Sequence, residues 1–417
     1  MKIAVIGAGI IGVTTAYELA LDGHEVTVYE RRMAAAEETS FANAGIMAPG
    51  YITPWAAPGM PMKIARHLFS RHSPVRISWP LKLSELHWMW KCLRACKPGT
   101  YAANRTRLQR LAFYSRDRLH QISADLQLEY DHSKGYMVLL RSEKDFTLMQ
   151  ASLQVLRDAH LPFRQLSPEE ARKIEPALHP DTPLHCAIHL PDDEAGNCRQ
   201  FALLLKNEAQ RMGVRFFFSS TVERIDASQG MALQIADDST PHRFDAAVLC
   251  AGVDSTRLLR PLGLKIPLTA IHGYSVSAPI REALNAPRSA IMDERYKVAI
   301  ARLGNRVRVA GSAEIGGRGD KYRKESIQTL YKVLQDWFPG ATQQSNGLQV
   351  WKGARPMLPD GPPLLGDSGI PGLWLNLGHG SSGWTLSCGS ARVVADLIGG
   401  KIPGIDLEGL EKARLLT

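Results

Sequence analysis

The chain has 417 residues, 45% of them hydrophobic and 22% charged, with a formal net charge of +9. That length exceeds what one ordinary core supports, so two domains are the natural expectation. No run of about eighteen residues is purely apolar outside the glycine-rich start, the six cysteines form no C-x-x-C pair, and the thirteen histidines form no H-x-x-x-H pair backed by acids. Nothing therefore argues for a membrane-spanning helix or a metal site, and reduced thiols in a cytoplasmic compartment are expected.

The chain opens on a short apolar run, residues 3–6, suited to a buried parallel strand, and Gly7, Gly9 and Gly12 follow it at the spacing of the dinucleotide fingerprint. A helix begins there, with Ile10 and Ile11 in its first turn. Gly7 allows the tight turn, Gly9 lets the backbone approach a pyrophosphate, and Gly12 lets the helix pack on the strand, while the helix N-terminus offers N–H groups and a positive dipole end. The second strand starts at Glu25 and ends in Glu30, followed by Arg31. A carboxylate about twenty residues past the glycines accepts both ribose hydroxyls and repels a 2′-phosphate, which disfavours NADP. A secretory signal, suggested by Lys2 and Ala34-Ala35-Ala36, reads poorly because Glu18 interrupts the apolar region and residues 25–32 separate it from the alanines. The N-terminus is expected to be retained.

Positive charge concentrates in the next part. Residues 63–118 hold thirteen Lys or Arg against only Glu85 and Asp117, so this segment carries the basic character of the whole chain. It also contains Trp79, Trp88 and Trp90, with Trp55 just before it. The composition suits a helical surface on an anionic bilayer, with tryptophan at headgroup level; the competing reading is amphipathic core helices with solvated basic faces. Nucleic acid is not expected, since no zinc finger, RNA-recognition signature or basic zipper is present.

Beyond it the elements alternate. Residues 136–140 read as a strand. Ser167, Pro168 and Glu170 start a helix with an N-cap and a capping box. Residues 185–190 are strand-like, and Asn197 caps a helix over 199–212 that ends at Gly213. Residues 214–222, 232–236 and 244–250 read as three strands, with a turn at 237–239, and the last leads into Ala251 and Gly252, small enough for a backbone to come near a cofactor. Residues 270–277, 298–303 and 307–311 alternate as an antiparallel sheet would, and 324–337 is helical. Near the end, a strand after Trp374 runs into Gly378, Gly380, Ser381 and Gly383, then a helix containing Trp384 and Thr385 continues to about Ile398. Glycines ahead of a helix N-terminus again place N–H groups where a phosphate or a ring carbonyl can be held.

Together these pieces resemble the FAD-dependent D-amino acid oxidase superfamily, and within it the bacterial dehydrogenases of D-amino acids. The most specific stretches are Glu38 to Gly45, which includes Ser40, Ala42 and Asn43 and leads through Ile46 to Pro49-Gly50-Tyr51; Pro54-Trp55-Ala56; His272-Gly273-Tyr274-Ser275; Gly353-Ala354-Arg355-Pro356; and Gly378-His379-Gly380. The resemblance implies an α/β fold: a Rossmann-like FAD-binding domain of the glutathione reductase type, built from 1–50, 190–265 and 350–417, interleaved with an α+β substrate domain on an antiparallel sheet, from 51–189 and 266–349. Val222, Ala251 and Gly252 would belong to the cofactor site.

It further implies FAD, held non-covalently because 38–45 contains neither histidine nor cysteine. The implied reaction is oxidative deamination of D-amino acids to 2-oxo acids and ammonia by hydride transfer to flavin N5. Electrons would pass to a respiratory quinone or another acceptor other than oxygen, at the inner membrane. In relatives the arginine of Gly-x-Arg-Pro grips the substrate carboxylate, a role that maps onto Arg355, and a guanidinium fork suits that task. Tyr274 and Tyr51 are further candidates beside substrate and flavin. One departure is His272, where relatives often carry lysine. Two other readings stay open: dehydrogenation of a secondary amino acid such as proline, hydroxyproline or sarcosine, or of glycine; and a flavin-stabilised binding subunit of a larger complex.

Overall fold

In the computed structural model, residues 1–67, 72–317, 319, 321–343 and 347–416 are described. Lys2–Ile6 forms the middle of a six-stranded sheet because its residues after Lys2 are all apolar and can be buried on both faces. It pairs in parallel with Glu25–Tyr29 on one side and Ala246–Leu249 on the other, and Leu373–Leu377 continues the parallel set. The helix Ile10–Leu21 follows the first strand directly, and the helices Cys198–Arg211 and Gly383–Ile398 share its apolar core. Buried inside that helical layer, Glu18 accepts hydrogen bonds from Arg118 (2.6 Å) and Arg392 (2.8 Å), joining three helices far apart in sequence.

The second sheet has ten strands and is mostly antiparallel. Gln349–Met357 lies at its edge, followed by Thr269–Pro279, Arg306–Gly316, Val298–Leu303, Ala290–Asp293, Ser133–Leu140, Cys186–Ala195 and Ile46–Met47. One face carries the amphipathic helix Lys324–Trp337, whose Leu330, Val333, Leu334 and Trp337 meet Val276, Ile300 and Val309. The other face carries Tyr136, Val138, Ala290 and Ala301 against the helix Glu143–Asp158. A capping box at Ser167 and Glu170 and an Asn197 cap start their helices as expected.

Two expected strands divide. The stretch 214–222 gives Arg215–Phe217 and Val222–Asp226, because Ser219 adopts a left-handed conformation and the N–H groups of Ser219 and Ser220 bond back to the carbonyls of Arg32 and Glu30. The stretch 244–250 gives His242–Phe244 and Ala246–Leu249, broken at Asp245, whose carboxylate accepts the Lys2 N–H at 2.6 Å.

The basic segment also divides. Its second half is the helix Pro98–Asp125, where Arg107, Arg110 and Arg118 are paired with Glu408, Asp406 and Glu18. These charges are paired within the chain. Its first half includes the helix Leu83–Ala95, with Trp88, Cys92 and Ala95 buried while Leu83 (85%), Trp90 (50%) and Leu93 (54%) stay exposed. Arg71 and the side chains of Lys63 and Arg66 lie outside the described residues. No helix among the described residues is long and apolar enough to cross a membrane.

Candidate active site

Where the first strand meets its helix, the chain forms one rim of a long cleft of about 1150 Å³, open mouth included. Gly7 has φ +101°, and a Cβ there would stand 2.7 Å from the Cys250 carbonyl; a Cβ on Gly12 would stand 1.8 Å from the Gly7 carbonyl. Only glycine permits this turn and this packing. Gly9 opens the helix without a side-chain cap, and of the first N–H groups, that of Ile10 bonds to Ser40 Oγ at 3.0 Å. The uncapped N-terminus faces the cleft, which fits a pyrophosphate. Glu30 accepts from the N–H of Ala8 (2.7 Å) and of Arg32 (2.9 Å). One bond to each oxygen leaves lone pairs for two ribose hydroxyls. Arg31, which could have welcomed a further phosphate, is tied to Glu38 and Asp254.

Ile11, Asn43, Val222, Ala251 and Gly252 also line the cleft, and Gly378, Gly380, Gly383 and Trp384 form its far rim. There the helix Gly383–Ile398 likewise starts without a side-chain cap. Two buried polar atoms on this rim, Trp384 Nε1 and Asn376 Oδ1, have no hydrogen-bond partner among the described residues. Two uncapped helix starts, a half-satisfied carboxylate and orphaned polar atoms fit a flavin dinucleotide along the cleft. Other expected contacts stand behind this lining: Gly12 packs on Gly7, Gly45 meets Leu303, Ile46 pairs with Ala195, and Thr385 Oγ1 bonds to the Ile46 carbonyl at 3.4 Å. Ala42 and Ser381 are not part of the lining either.

Sequence reasoning missed Asn376, Thr39 and His379 as lining residues. Burial holds the His379 imidazole down at about 3, so it is neutral, with Nε2 3.0 Å from Ser390 Oγ. Its glycine neighbours were the available signal.

The edge strand Gln349–Met357 brings the second sheet to this cleft, with Ala354 and Pro356 in the lining and the Ala354 carbonyl accepting Thr39 Oγ1 at 2.6 Å. Successive residues of a strand face opposite sides, so Arg355 projects with Trp351 and Gly353 and, unlike its neighbours Ala354 and Pro356, is not itself part of the cleft lining. Its guanidinium lies across Gly273, where a Cβ would stand 2.3 Å from Nη2. It donates to the Ser312 carbonyl at 2.8 Å. The register slips here: His272 faces Glu314, yet Tyr274 faces Gly311, and Ser312 has φ +61°. Such a bulge re-aims backbone groups beside a site. Arg355 is half-buried and, among the described residues, has no carboxylate partner, and desolvation lowers its guanidinium to about 10. A desolvated, unpaired cation is costly alone and calls for an anion.

The two tyrosines are placed differently. Tyr274 alternates onto the face opposite Arg355, where its hydroxyl donates to Glu314 at 2.6 Å and accepts the Arg323 N–H at 3.2 Å. Burial and then Glu314 push its phenol well up. His272 lies on that side too, with burial and Lys352 lowering its imidazole, while Lys352 pairs with Glu314 at 2.9 Å. The structure therefore does not bring Tyr274 together with Arg355. Tyr51 is half-buried, donating to Glu294 and packing edge-on to Tyr136 at 5.6 Å, outside the cleft lining. Gly273 and Ser312, which hold the guanidinium, were missed; the glycine beside Tyr274 was the only signal.

Comparison with known proteins is consistent along the whole chain. The profile of the FAD dependent oxidoreductase family matches residues 2–397. A D-amino acid dehydrogenase of Bradyrhizobium diazoefficiens is 42% identical over 414 residues, covering 98% of each chain. The crystal structure of glycine oxidase from Geobacillus kaustophilus superposes with a TM-score of 0.78 at 20% identity, covering 98% of each chain. That of L-proline dehydrogenase from P. horikoshii gives 0.76 at 17% identity, covering 100% of this chain and 97% of that one.

Proposed function

The chain belongs to the family of FAD dependent oxidoreductases, and from that premise we propose that it dehydrogenates D-amino acids to 2-oxo acids and ammonia, as the name of its 42% identical relative suggests. The observation that carries this reading is Arg355: a half-buried arginine with no carboxylate partner among the described residues, its guanidinium laid over a glycine next to two cleft-lining neighbours. Its fork holds the substrate carboxylate in one orientation, whereas a lysine would hold it without orienting it. FAD, when bound, accepts the two electrons that leave the α carbon. The residues that would hold it are Gly7, Gly9, Ile10, Ile11, Glu30, Ser40, Asn43, Val222, Ala251, Gly252, Gly378, Gly380, Gly383 and Trp384, without a covalent link.

The protein's contribution is then positioning and exclusion of water, which can supply most of an acceleration. The amine must be neutral for its lone pair to assist departure of the α hydrogen, and the resulting imine is hydrolysed by water. In this reading 1–50, 190–265 and 350–417 form the cofactor domain and 51–189 and 266–349 the substrate domain, with the edge strand Gln349–Met357 as their shared element. Anaerobic mixing with a panel of D- and L-amino acids tests the reading: bleaching of the flavin by D-amino acids is expected. Bleaching only by proline-like or N-methyl amino acids would favour the secondary-amine alternative, and no bleaching at all the binding-subunit alternative.

The electron acceptor is proposed to be a quinone or another non-oxygen acceptor, reached at the inner membrane. What supports this is the helix Leu83–Ala95, where Leu83, Leu86, Trp90 and Leu93 recur at helical spacing on one exposed face. Lys82, Lys91, Arg94 and Lys97 flank that face, and Trp79, 77% exposed, adjoins it. Tryptophan and leucine in the headgroup layer with basic residues toward phosphate match an anionic bilayer. Replacing Leu83 and Trp90 by serine should abolish co-sedimentation with anionic vesicles and leave flavin reduction intact; unchanged sedimentation would refute the docking face.

A further inference from the structure

We propose that Trp351 is a second anchor for the substrate carboxylate, its indole N–H donating to the same anion that Arg355 grips. The inference rests on the reading of Arg355 just given. Gly353 and Gly273 are direct partners across the ladder, and opposite residues of an antiparallel pair project to the same face with Cβ positions about 5 Å apart. Neither has a side chain, so the sheet offers a bare floor two residues wide. Trp351 leans over one half: its Nε1 is 3.0 Å from where a Gly353 Cβ would stand. Arg355 leans over the other, with its guanidinium 2.3 Å from where a Gly273 Cβ would stand. Donors seated over two such adjacent positions are within reach of one carboxylate through hydrogen bonds of about 2.9 Å each.

Two further observations separate this indole from ordinary packing. Nε1 is buried and has no hydrogen-bond partner among the described residues, although a buried indole N–H normally finds one. The ring is also held in place, since Phe41 packs on it with centroids 4.7 Å apart and the Arg199 guanidinium covers Phe41 at 4.3 Å. A fixed donor without a partner, beside a cation without a carboxylate partner, both among the described residues, is complementary to an anion.

Trp351→Phe keeps the ring and its contact with Phe41 and removes only the N–H. With FAD content unchanged, it should raise KM for D-amino acids about 10-fold at nearly constant kcat. The dissociation constant of the corresponding amine without a carboxylate should not move. An unchanged KM, while Arg355→Lys raises it, would overturn the role of Trp351 and leave the reading of Arg355 standing. If Arg355→Lys is silent as well, both fall. Should Trp351→Phe fail to retain FAD, Gly353→Ala places a methyl against Nε1: a KM raised only for carboxylate-bearing substrates supports the anchor, and an equal loss for the amine overturns it.

Discussion

The two sheets use glycine for opposite ends. In the parallel sheet, Gly7, Gly9 and Gly12 remove side chains so that backbone N–H groups reach a ligand directly. In the antiparallel sheet, Gly273 and Gly353 remove side chains so that two others, Arg355 and Trp351, can lie down over the strands. The first device offers main-chain N–H groups from one continuous stretch, which suit a phosphate. The second, proposed to take a carboxylate, uses side chains whose placement depends on strand pairing between residues some eighty positions apart. In the proposed reading the first holds the cofactor and the second chooses the substrate.

Breaking the first device should have the largest effect. Gly12→Ala puts a methyl 1.8 Å from the Gly7 carbonyl, and because both neighbours are backbone, the turn must open; the variant should purify colourless and without activity. Breaking the second should be selective. Arg355→Lys keeps the charge but loses the fork, and should keep full FAD content while kcat/KM falls about 100-fold, mostly through KM.

The smallest effect on turnover should come from Tyr274→Phe, because that hydroxyl lies on the other face of the sheet: KM should change less than about 3-fold. Its consequence is for stability instead. Although burial alone would raise the Glu314 carboxyl, hydrogen bonds from Ser78, Tyr274 and Lys352 hold it below its ordinary value. Stability from a depressed carboxyl is present above its unfolded pKa and is lost as pH falls through the folded one. Tyr274→Phe should therefore cost about 1 to 3 kcal/mol near neutral pH, and the gap to the wild type should narrow on acidification as Glu314 protonates. A kinetic defect as large as that of Arg355→Lys would contradict the assignment of faces.

The same contrast explains what could be read from the sequence. Strand, glycines, helix, second strand and Glu30 lie within thirty residues, so spacing alone identifies them, and the later helices declare themselves through Ser167, Asn197 and their caps. The FAD-binding fold and the candidate cleft residues near the N-terminus were legible for that reason. Faces of the antiparallel sheet were not. His272-Gly273-Tyr274 draws attention to the tyrosine, yet alternation and the bulge at Ser312 put Tyr274 on the face opposite Arg355 and leave Gly273 beneath the Arg355 guanidinium. Charge was ambiguous as well. Thirteen basic residues in one segment read either as a membrane-facing surface or as amphipathic core helices with solvated basic faces, and ionic partners such as Glu408, Asp406 and Glu18, from elsewhere in the chain, tie the helix Pro98–Asp125 into the fold. The break at Ser219 was hidden too, since alternating Phe216 and Phe218 look like an unbroken strand and only the bonds to Arg32 and Glu30 impose the turn.

The central claim is that the guanidinium over Gly273, without a carboxylate partner among the described residues, is the substrate's carboxylate site. A crystal structure of the FAD-loaded protein with an unreactive carboxylate analogue of an amino acid tests it most directly. The account predicts the carboxylate in a bidentate bond to Arg355, above Gly273 and Gly353 and within hydrogen-bond distance of Trp351 Nε1. A carboxylate bound on the Tyr274 and His272 side of the sheet, or held by other cations with Arg355 uninvolved, would contradict it.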